Sequence, residues 1–599
     1  MKKTLLFILT LLYTVYGVSQ QSYYTPSQSD TWVAQDALSR KINNENYPQS
    51  RANKKVGLFY FIWQGAHGYD QHAAGLADEG VMPASPSDTI SPYDISQMLR
   101  ENPDNPQYGP VHAFHYWGQP YMGYYLPNDE WIIRKHAQMI SDAGIDVIII
   151  DVTNAAIYLP QVKRLCEVYT RMREEGNATP QIAFIINSNP KATLQRLYNS
   201  FYEKGLFHDL WFDWKGKPLL LCPPEGTTPE MHDFFTIRHA WFASSWDWFG
   251  NGKDKWTWAD LYPQQPGWHD NPDKPEEVSV CAATHPMSNI GRSFHNGKQP
   301  DPDNQRSGEG LFFAQQFNRA LEIDPEFIFI TGWNEWVAMR FVDGASGEML
   351  GKKISKGDTY FVDQYNEEYS RDIEPMKGGF GDNYYYQMVD FVRRYKGVHS
   401  SPVAKKGISF KMDGKMDKWN SVSNLYLDDT GDIVYRNHAG WGRMRNYSNN
   451  SGRNDIIQSK VSCDGKNIFF YVKTVSDITS YTDKEWMRLF IQINGSDRKN
   501  WEGFSFVVNN EIKNDKETYL HESLGGWNWQ KVCTIKYRVR RNELELAVPL
   551  KTLGITGKKF SINFKWIDNA VSAGDIMECI DNGDTAPNGR FRYHFSYSE

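Results

Sequence analysis

Residues 129–151 read DEWIIRKHAQMISDAGIDVIIID: a helical pattern over 129–143, a tight turn at Ala143-Gly144, then an apolar run that ends in Asp151. The order of helix, short turn and buried run predicts one unit of a parallel α/β sheet. Working outward, seven further short apolar runs stand at 56–62, 111–116, 182–186, 218–222, 237–242, 278–282 and 327–331. Helical spacing fills 159–174, 192–204, 310–321 and 384–395. Eight expected strands alternating with helices over about 340 residues predict a (β/α)8 TIM barrel with large loops. A doubly wound open sheet is the competing fold, but no glycine-rich turn follows the first run.

Past residue 398 the texture changes. Residues 399–407 (HSSPVAKKG) read as a linker, and 408–599 holds alternating runs at 488–493, 504–508, 544–548 and 560–566. Alternation of period two with turn residues between runs predicts an all-β sandwich. The expected organisation is thus a signal peptide over 1–19, a lead segment over 20–54, a barrel over 55–398, the linker, and the sandwich. The signal peptide rests on Lys2 and Lys3, the apolar stretch 4–18, and small residues Gly17 and Ser19 before the expected cut. A secreted or periplasmic protein with no membrane span follows as the expectation.

The 599 residues carry 65 Lys and Arg against 72 Asp and Glu, a net charge of −7, which argues against a nucleic-acid partner. Aromatic residues make up 15%, too many for a disordered chain. Six cysteines without CxxC spacing argue against both a disulfide framework and a cysteine zinc site. No HExxH, P-loop, dinucleotide fingerprint or GxSxG elbow is present, so no metal and no cofactor are expected.

In a (β/α)8 barrel the chemistry lies just past the C-terminal ends of the strands. The residues expected there are Trp63, His115 and Trp117, Asp151, Asn187, Trp246, His285, and the segment Gly332-Trp333-Asn334-Glu335-Trp336. Tryptophans stack on sugar rings, amides and imidazoles bind hydroxyls, and carboxyls carry protons, so the expected partner is a poly- or oligosaccharide. Glu335, delivered by a buried run and flanked by tryptophans, is the expected catalytic acid. Asp151 is its expected partner, since glycoside cleavage ordinarily takes two carboxyl groups. Glu374 is a further candidate, placed with Trp333, Asn334, Trp63, Trp117, His115, Asn187, Trp246 and His285 around the substrate. Each has a purely structural alternative: a hydrogen-bond acceptor for a loop, or an aromatic in the core.

Two blocks carry a resemblance. Asp129-Glu130-Trp131 with His136, Met139, Ala143-Gly144-Ile145-Asp146-Val147 and Asp151, together with Gly332-Trp333-Asn334-Glu335-Trp336, resemble glycoside hydrolase family 99 and its WbsX-like and family 71-like relatives, over roughly 55–396. The resemblance implies a (β/α)8 glycosidase acting on α-linked, mannoside-like glycans. Family 99 enzymes are retaining and endo-acting, and are thought to use the sugar's own 2-hydroxyl. Their two glutamates stand in an Asn-Glu-Trp-x-Glu-Gly pattern. The first falls on Glu335 and the second on Ala338, so another carboxyl supplies the missing role or the barrel binds glycan without cleaving it. The opening of the last region, with Asp413-Gly414 and Asp417-x-Trp419, resembles family 9-type carbohydrate-binding modules. That implies glycan binding through Trp486, Trp527 or Trp529; the alternative is a domain that only packs on the barrel.

Overall fold

The computed structural model describes residues 25–27, 29–43, 46–64, 95, 112, 114–342, 347–405, 407, 409–440 and 446–599. The expected signal peptide and the loop 65–110, apart from Ile95, lie outside the described residues.

Eight parallel strands form a nearly closed barrel: β1 (Lys55–Tyr60), β2 (Val147–Val152), β3 (Gln181–Ile186), β4 (Lys217–Leu221), β5 (Thr236–Trp241), β6 (Lys255–Thr257), β7 (Glu277–Cys281) and β8 (Phe327–Thr331). They follow one another in chain order around the barrel, and β8 pairs with β1. Helices α1 (Glu130–Asp142), α2 (Leu159–Glu174), α3 (Pro190–Leu197) and α4 (Pro229–Phe234) precede β2, β3, β4 and β5, α5 (Leu311–Ile323) precedes β8, and α6 (Asn383–Lys396) follows it.

Period-two alternation sorts each strand onto two faces. Phe59, Ile149, Ile185, Leu221 and Phe329 pack with one another in the lumen, while Leu58, Ile148, Ile150, Phe184 and Ile330 join the cluster that holds the helices. Gly57 has no side chain because the Phe327 ring occupies its space; a Cβ there would sit 2.5 Å from that ring. Between β6 and β7 the backbone ladder is missing and side chains close the gap. The Thr257 amide donates to Glu277 Oε2 (2.8 Å), and the Thr257 and Ser279 hydroxyls meet at 2.8 Å.

Two expectations are corrected. The run 111–116 is not a barrel strand: Phe114–Tyr116 pairs antiparallel with Val337–Phe341, which pairs in turn with Tyr360–Phe361. This small sheet continues directly from the rim of β8. The sixth barrel strand is instead Lys255–Thr257, three residues in a polar stretch with no apolar run to announce it.

The C-terminal region is a second, sheet-rich body in which thirteen strands share one hydrogen-bonded sheet among the described residues. Its long strands, among them Ile456–Cys463, Asn467–Thr474, Glu543–Pro549 and Lys559–Asp568, pair antiparallel. Thr25–Ser27 adds a parallel edge to Asn424–Leu427, and Val403–Ala404, inside the stretch read as a linker, pairs with Tyr593–Ser598. Trp32 packs edge-on against Phe591 and Tyr593. The lead segment therefore joins the two bodies: Thr25–Ser27 and Trp32 pack on the sheet body, while Tyr47 donates to Asp390 (2.7 Å) and Arg51 to Asp324 (2.6 Å) on the barrel. All six cysteines are unpaired thiols, and no helix among the described residues is long and apolar enough to cross a membrane.

Candidate functional site

A cavity of about 590 Å3 opens over the C-terminal ends of the barrel strands. That volume and position are those of a small-molecule site. Three carboxyls line it: Asp151 from the end of β2, Glu335 past β8, and Asp363 past the small sheet. Trp63, Trp241, Trp246 and Trp258 give aromatic faces, and Asn154, Asn187 and His285 give polar ones. Trp246 is 48% exposed and stacks on Phe242 with centroids 4.9 Å apart.

Glu335 is fixed from behind. Its Oε2 accepts from Arg371 Nη2 at 2.9 Å and from Gln364 Nε2 at 2.8 Å, and its backbone amide donates to Asp372 Oδ1. Arg371 is fully buried, donates also to the Asp363 carbonyl (2.8 Å), and lies over the Trp258 ring at 4.7 Å. Burial raises the Glu335 carboxyl well above the usual carboxylate range; Arg371 opposes the shift, and Asp363, Asp372 and Asp151 add to it. Burial likewise pushes Asp372 up to about 6. With both donors on Oε2, Oε1 is the oxygen left free to carry a proton.

Asp151 is 4% exposed; its Oδ2 accepts from Trp63 Nε1 (3.1 Å) and its Oδ1 from the Thr153 amide (2.9 Å). Burial raises its pKa, and those bonds pull it back down. Asp363 is solvent-exposed where it faces the cavity. Burial under the surrounding protein pushes its pKa up, and Arg371 opposes the shift. His285 is held neutral, its pKa lowered to about 3 by burial and by Arg371. Its Nδ1 accepts from the Met287 amide (3.2 Å), which leaves Nε2–H as a donor. The site therefore combines a carboxyl whose burial favours the protonated form, two further carboxyls and a neutral imidazole donor beside stacking faces, which suits proton transfer to and from a polyhydroxylated ligand.

The structure brings together Asp151, Glu335, Trp63, Asn187, Trp246 and His285 as expected from the sequence. It does not bring Trp333, Asn334, Trp117, His115 or Glu374 to the cavity. Trp333 turns into the core against His136 (5.6 Å) and Tyr385 (6.3 Å). Asn334 is spent on the backbone of β1's extension, accepting from the Phe61 amide and donating to its carbonyl. Trp117 stacks on Trp336 at 4.5 Å and donates to the Glu335 carbonyl. His115 is fully buried, in register with Ala338. Glu374 is fully buried and accepts from Tyr125 (2.7 Å) and Trp336 (2.6 Å) on Oε2, with His136 Nε2 3.0 Å from Oε1. These residues form the buried frame that positions Glu335. In the sheet body, Trp486 is also interior, donating to the Thr479 carbonyl, whereas Trp527 and Trp529 are half-buried beside Trp501.

Asp363 and its neighbour Arg371 are missing from the sequence-based list. The signal for Asp363 was there: Tyr360-Phe361-Val362-Asp363 is an apolar run ending in an acid, as is 147–151.

No protein-family model and no curated protein matches the chain. Among solved structures, the GH99 endo-alpha-mannosidase of Bacteroides thetaiotaomicron aligns with 14% identity and a TM-score of 0.33, covering 58% of this chain and 98% of that one. A protein of Bacteroides uniformis described as carbohydrate-binding aligns with 12% identity and a TM-score of 0.21, covering 33% of this chain and 97% of that one.

Proposed function

We propose that this chain is an exported glycoside hydrolase, with Glu335 as the general acid and Asp363 as the ionised partner. The observation that supports this reading is the meeting of Glu335, Asp151 and Asp363 in one tryptophan-lined cavity at the C-terminal end of a parallel barrel. Glu335 is the group whose surroundings favour the protonated form, so it gives its proton to the departing glycosidic oxygen. Asp363 is the more exposed carboxyl and influences Glu335 more strongly than Asp151 does, so it is placed to act on the sugar or on water. Asp151, with both oxygens already bonded, accepts from a sugar hydroxyl and orients the ring. Ala338 is buried in the small sheet, so position 338 supplies no second carboxyl to the cavity. An α-linked, mannoside-like substrate is the specificity proposed.

The test is sugar release from a panel of α- and β-linked glycans by wild type, Glu335→Gln, Asp363→Asn and Asp151→Asn. Loss of a general acid lowers kcat by roughly 10²–10⁴-fold. Asp363→Asn should lose as much as Glu335→Gln, and Asp151→Asn should mainly raise KM. Full activity in Glu335→Gln would sink the proposal. Glycan binding without release by wild type would make the chain a binding protein on a glycosidase-like barrel.

A further inference from the structure

The outer face of the barrel over β5 and β6 differs from the rest. Ala240 and Trp256 stand in register in the lumen, so the pair before them, His239 and Lys255, faces outward. On β1, β2, β3 and β8 the outward residues are apolar and pack with the helices. A (β/α)8 barrel ordinarily follows each strand with a helix. Here the stretch 242–254 between β5 and β6 holds only the short turn Asp247–Phe249, and 258–276 after β6 holds no helix. The face left open is charged, and it forms a groove of about 570 Å3.

The groove gathers cations in a chain whose net charge is −7. Two of them are balanced: Arg238 is held by Glu276 (2.6 Å) and Lys215 by Glu326. Asp254, the one carboxyl lining it among the described residues, is taken by His269 Nδ1. Lys217 Nζ donates to the His232 carbonyl (2.8 Å), Lys253 lies 5.8 Å from the centre of the Trp268 ring, and Lys255 Nζ donates to His239 Nδ1 (2.7 Å). None of these three lysines makes an ion pair among the described residues. Burial and Lys255 lower the His239 pKa to about 4, against Glu225; Glu225 and Asp254 in turn favour the charged form of Lys255. With its Nδ1 accepting, neutral His239 keeps Nε2–H as a further donor.

A neutral sugar asks for aromatic faces and amides, as the catalytic cavity offers. Three lysines without counter-charges repel one another and attract an anion. Ammonium groups act as point charges and suit a tetrahedral oxyanion; a planar carboxylate is better matched by an arginine fork, and the groove's arginine is already engaged. The groove also adjoins the catalytic cavity. Trp246 lines that cavity, and Trp248, two residues on in the same turn, packs edge-on against His239 at 5.0 Å. Two residues span at most about 7 Å, so a chain of sugars lying on Trp246 reaches the groove. We propose, on the reading of the cavity as a glycosidase site, that Lys217, Lys253, Lys255 and His239 bind a sulfate or phosphate ester carried by the glycan, so that the substrate class is an ester-bearing acidic glycan.

The test measures binding and sugar release by the full chain with one α-linked mannooligosaccharide in four forms: unsubstituted, O-sulfated, O-phosphorylated and oxidised to the uronate. At low salt an ester form should bind about 10-fold or more tighter than the unsubstituted one, and the tighter of the two esters names the group. Raising the salt to about 0.5 M should remove most of that advantage. Lys253→Gln and Lys255→Gln should each weaken ester binding about 5-fold, the upper worth of an exposed ion pair, and raise KM for the ester form without changing kcat. Equal binding of the ester and unsubstituted forms would overturn the proposal. So would tighter binding of the uronate, or an ester preference that survives in the double variant. An ester preference in a wild type that releases no sugar would sink the glycosidase reading and leave the oxyanion site standing; release without any ester preference would do the reverse.

Discussion

Replacing Arg371 with Met tests the electrostatics of the cavity most directly. The guanidinium is fully buried and sits 2.9 Å from Glu335 Oε2, itself almost inaccessible. Where Glu335 is ionised, removing its buried partner costs about 3–5 kcal/mol, because the carboxylate is left desolvated; where Glu335 is protonated, the loss is that of a hydrogen bond to a charged donor, about 1.5–3 kcal/mol. At the lower end of the usual conversion, about 2 °C per kcal/mol for a large domain, the barrel's Tm falls by about 6–10 °C in the ionised case. The loss must also depend on pH. Glu335 has a folded pKa above its ordinary 4.5, so its protonated form carries the stability: the contribution is full below about 4.5 and is lost as pH rises through the folded value. Without Arg371 that folded value climbs further, and the deficit of Arg371→Met against wild type grows from pH 5 to pH 8. The same shift moves the alkaline limb of the activity profile upward, since the general acid stays protonated longer. Scanning calorimetry at the two pH values and a pH–rate profile are the assays. A variant within about 2 °C of wild type at both pH values would show that the pair is not desolvated, and the account of Glu335 as a raised acid would fall with it.

Two further outcomes follow from the same geometry. Gly57→Ala drives a Cβ to 2.5 Å from the Phe327 ring and should cost about 1–3 kcal/mol, read as a lower denaturation midpoint; an unchanged midpoint would mean that β8 shifts freely against β1. His285→Gln should raise KM while leaving the acid limb of kcat/KM unmoved between pH 4.5 and 7, because an imidazole with a pKa of about 3 is already neutral there; a displaced limb would contradict its assignment as a neutral donor.

Seven of the eight barrel strands announced themselves as apolar runs, because strands covered by helices outside and side chains inside leave no polar face. The sixth did not: Lys255–Thr257 is short, and its closure against β7 is made by Thr257, Ser279 and Glu277 side chains, which carry no hydrophobic pattern. The run 111–116 misled for the complementary reason, since a strand buried in a small accessory sheet has the same apolar look as one in the barrel. The rim was legible in outline, because the rule that strand ends carry chemistry needs no coordinates. It over-collected where the chain turns at Gly332, whose space is limited by Asp372, and sends Trp333 and Asn334 inward while Glu335 reaches the cavity.

Sequence by itself determined the alternation of helices and buried runs, the change to short alternating strands past residue 398, and the delivery of Glu335 and Asp151 to strand ends. These are local properties of periodicity and of which residue ends a run. Only the tertiary structure decided that Asp363 joins them, that Glu374 and Trp117 are framework, and that Lys217, Lys253 and Lys255 meet His239 in one groove. Those facts depend on which distant segments share one small volume, and the low dielectric of that volume, not the residue type, sets the charge each carboxyl carries.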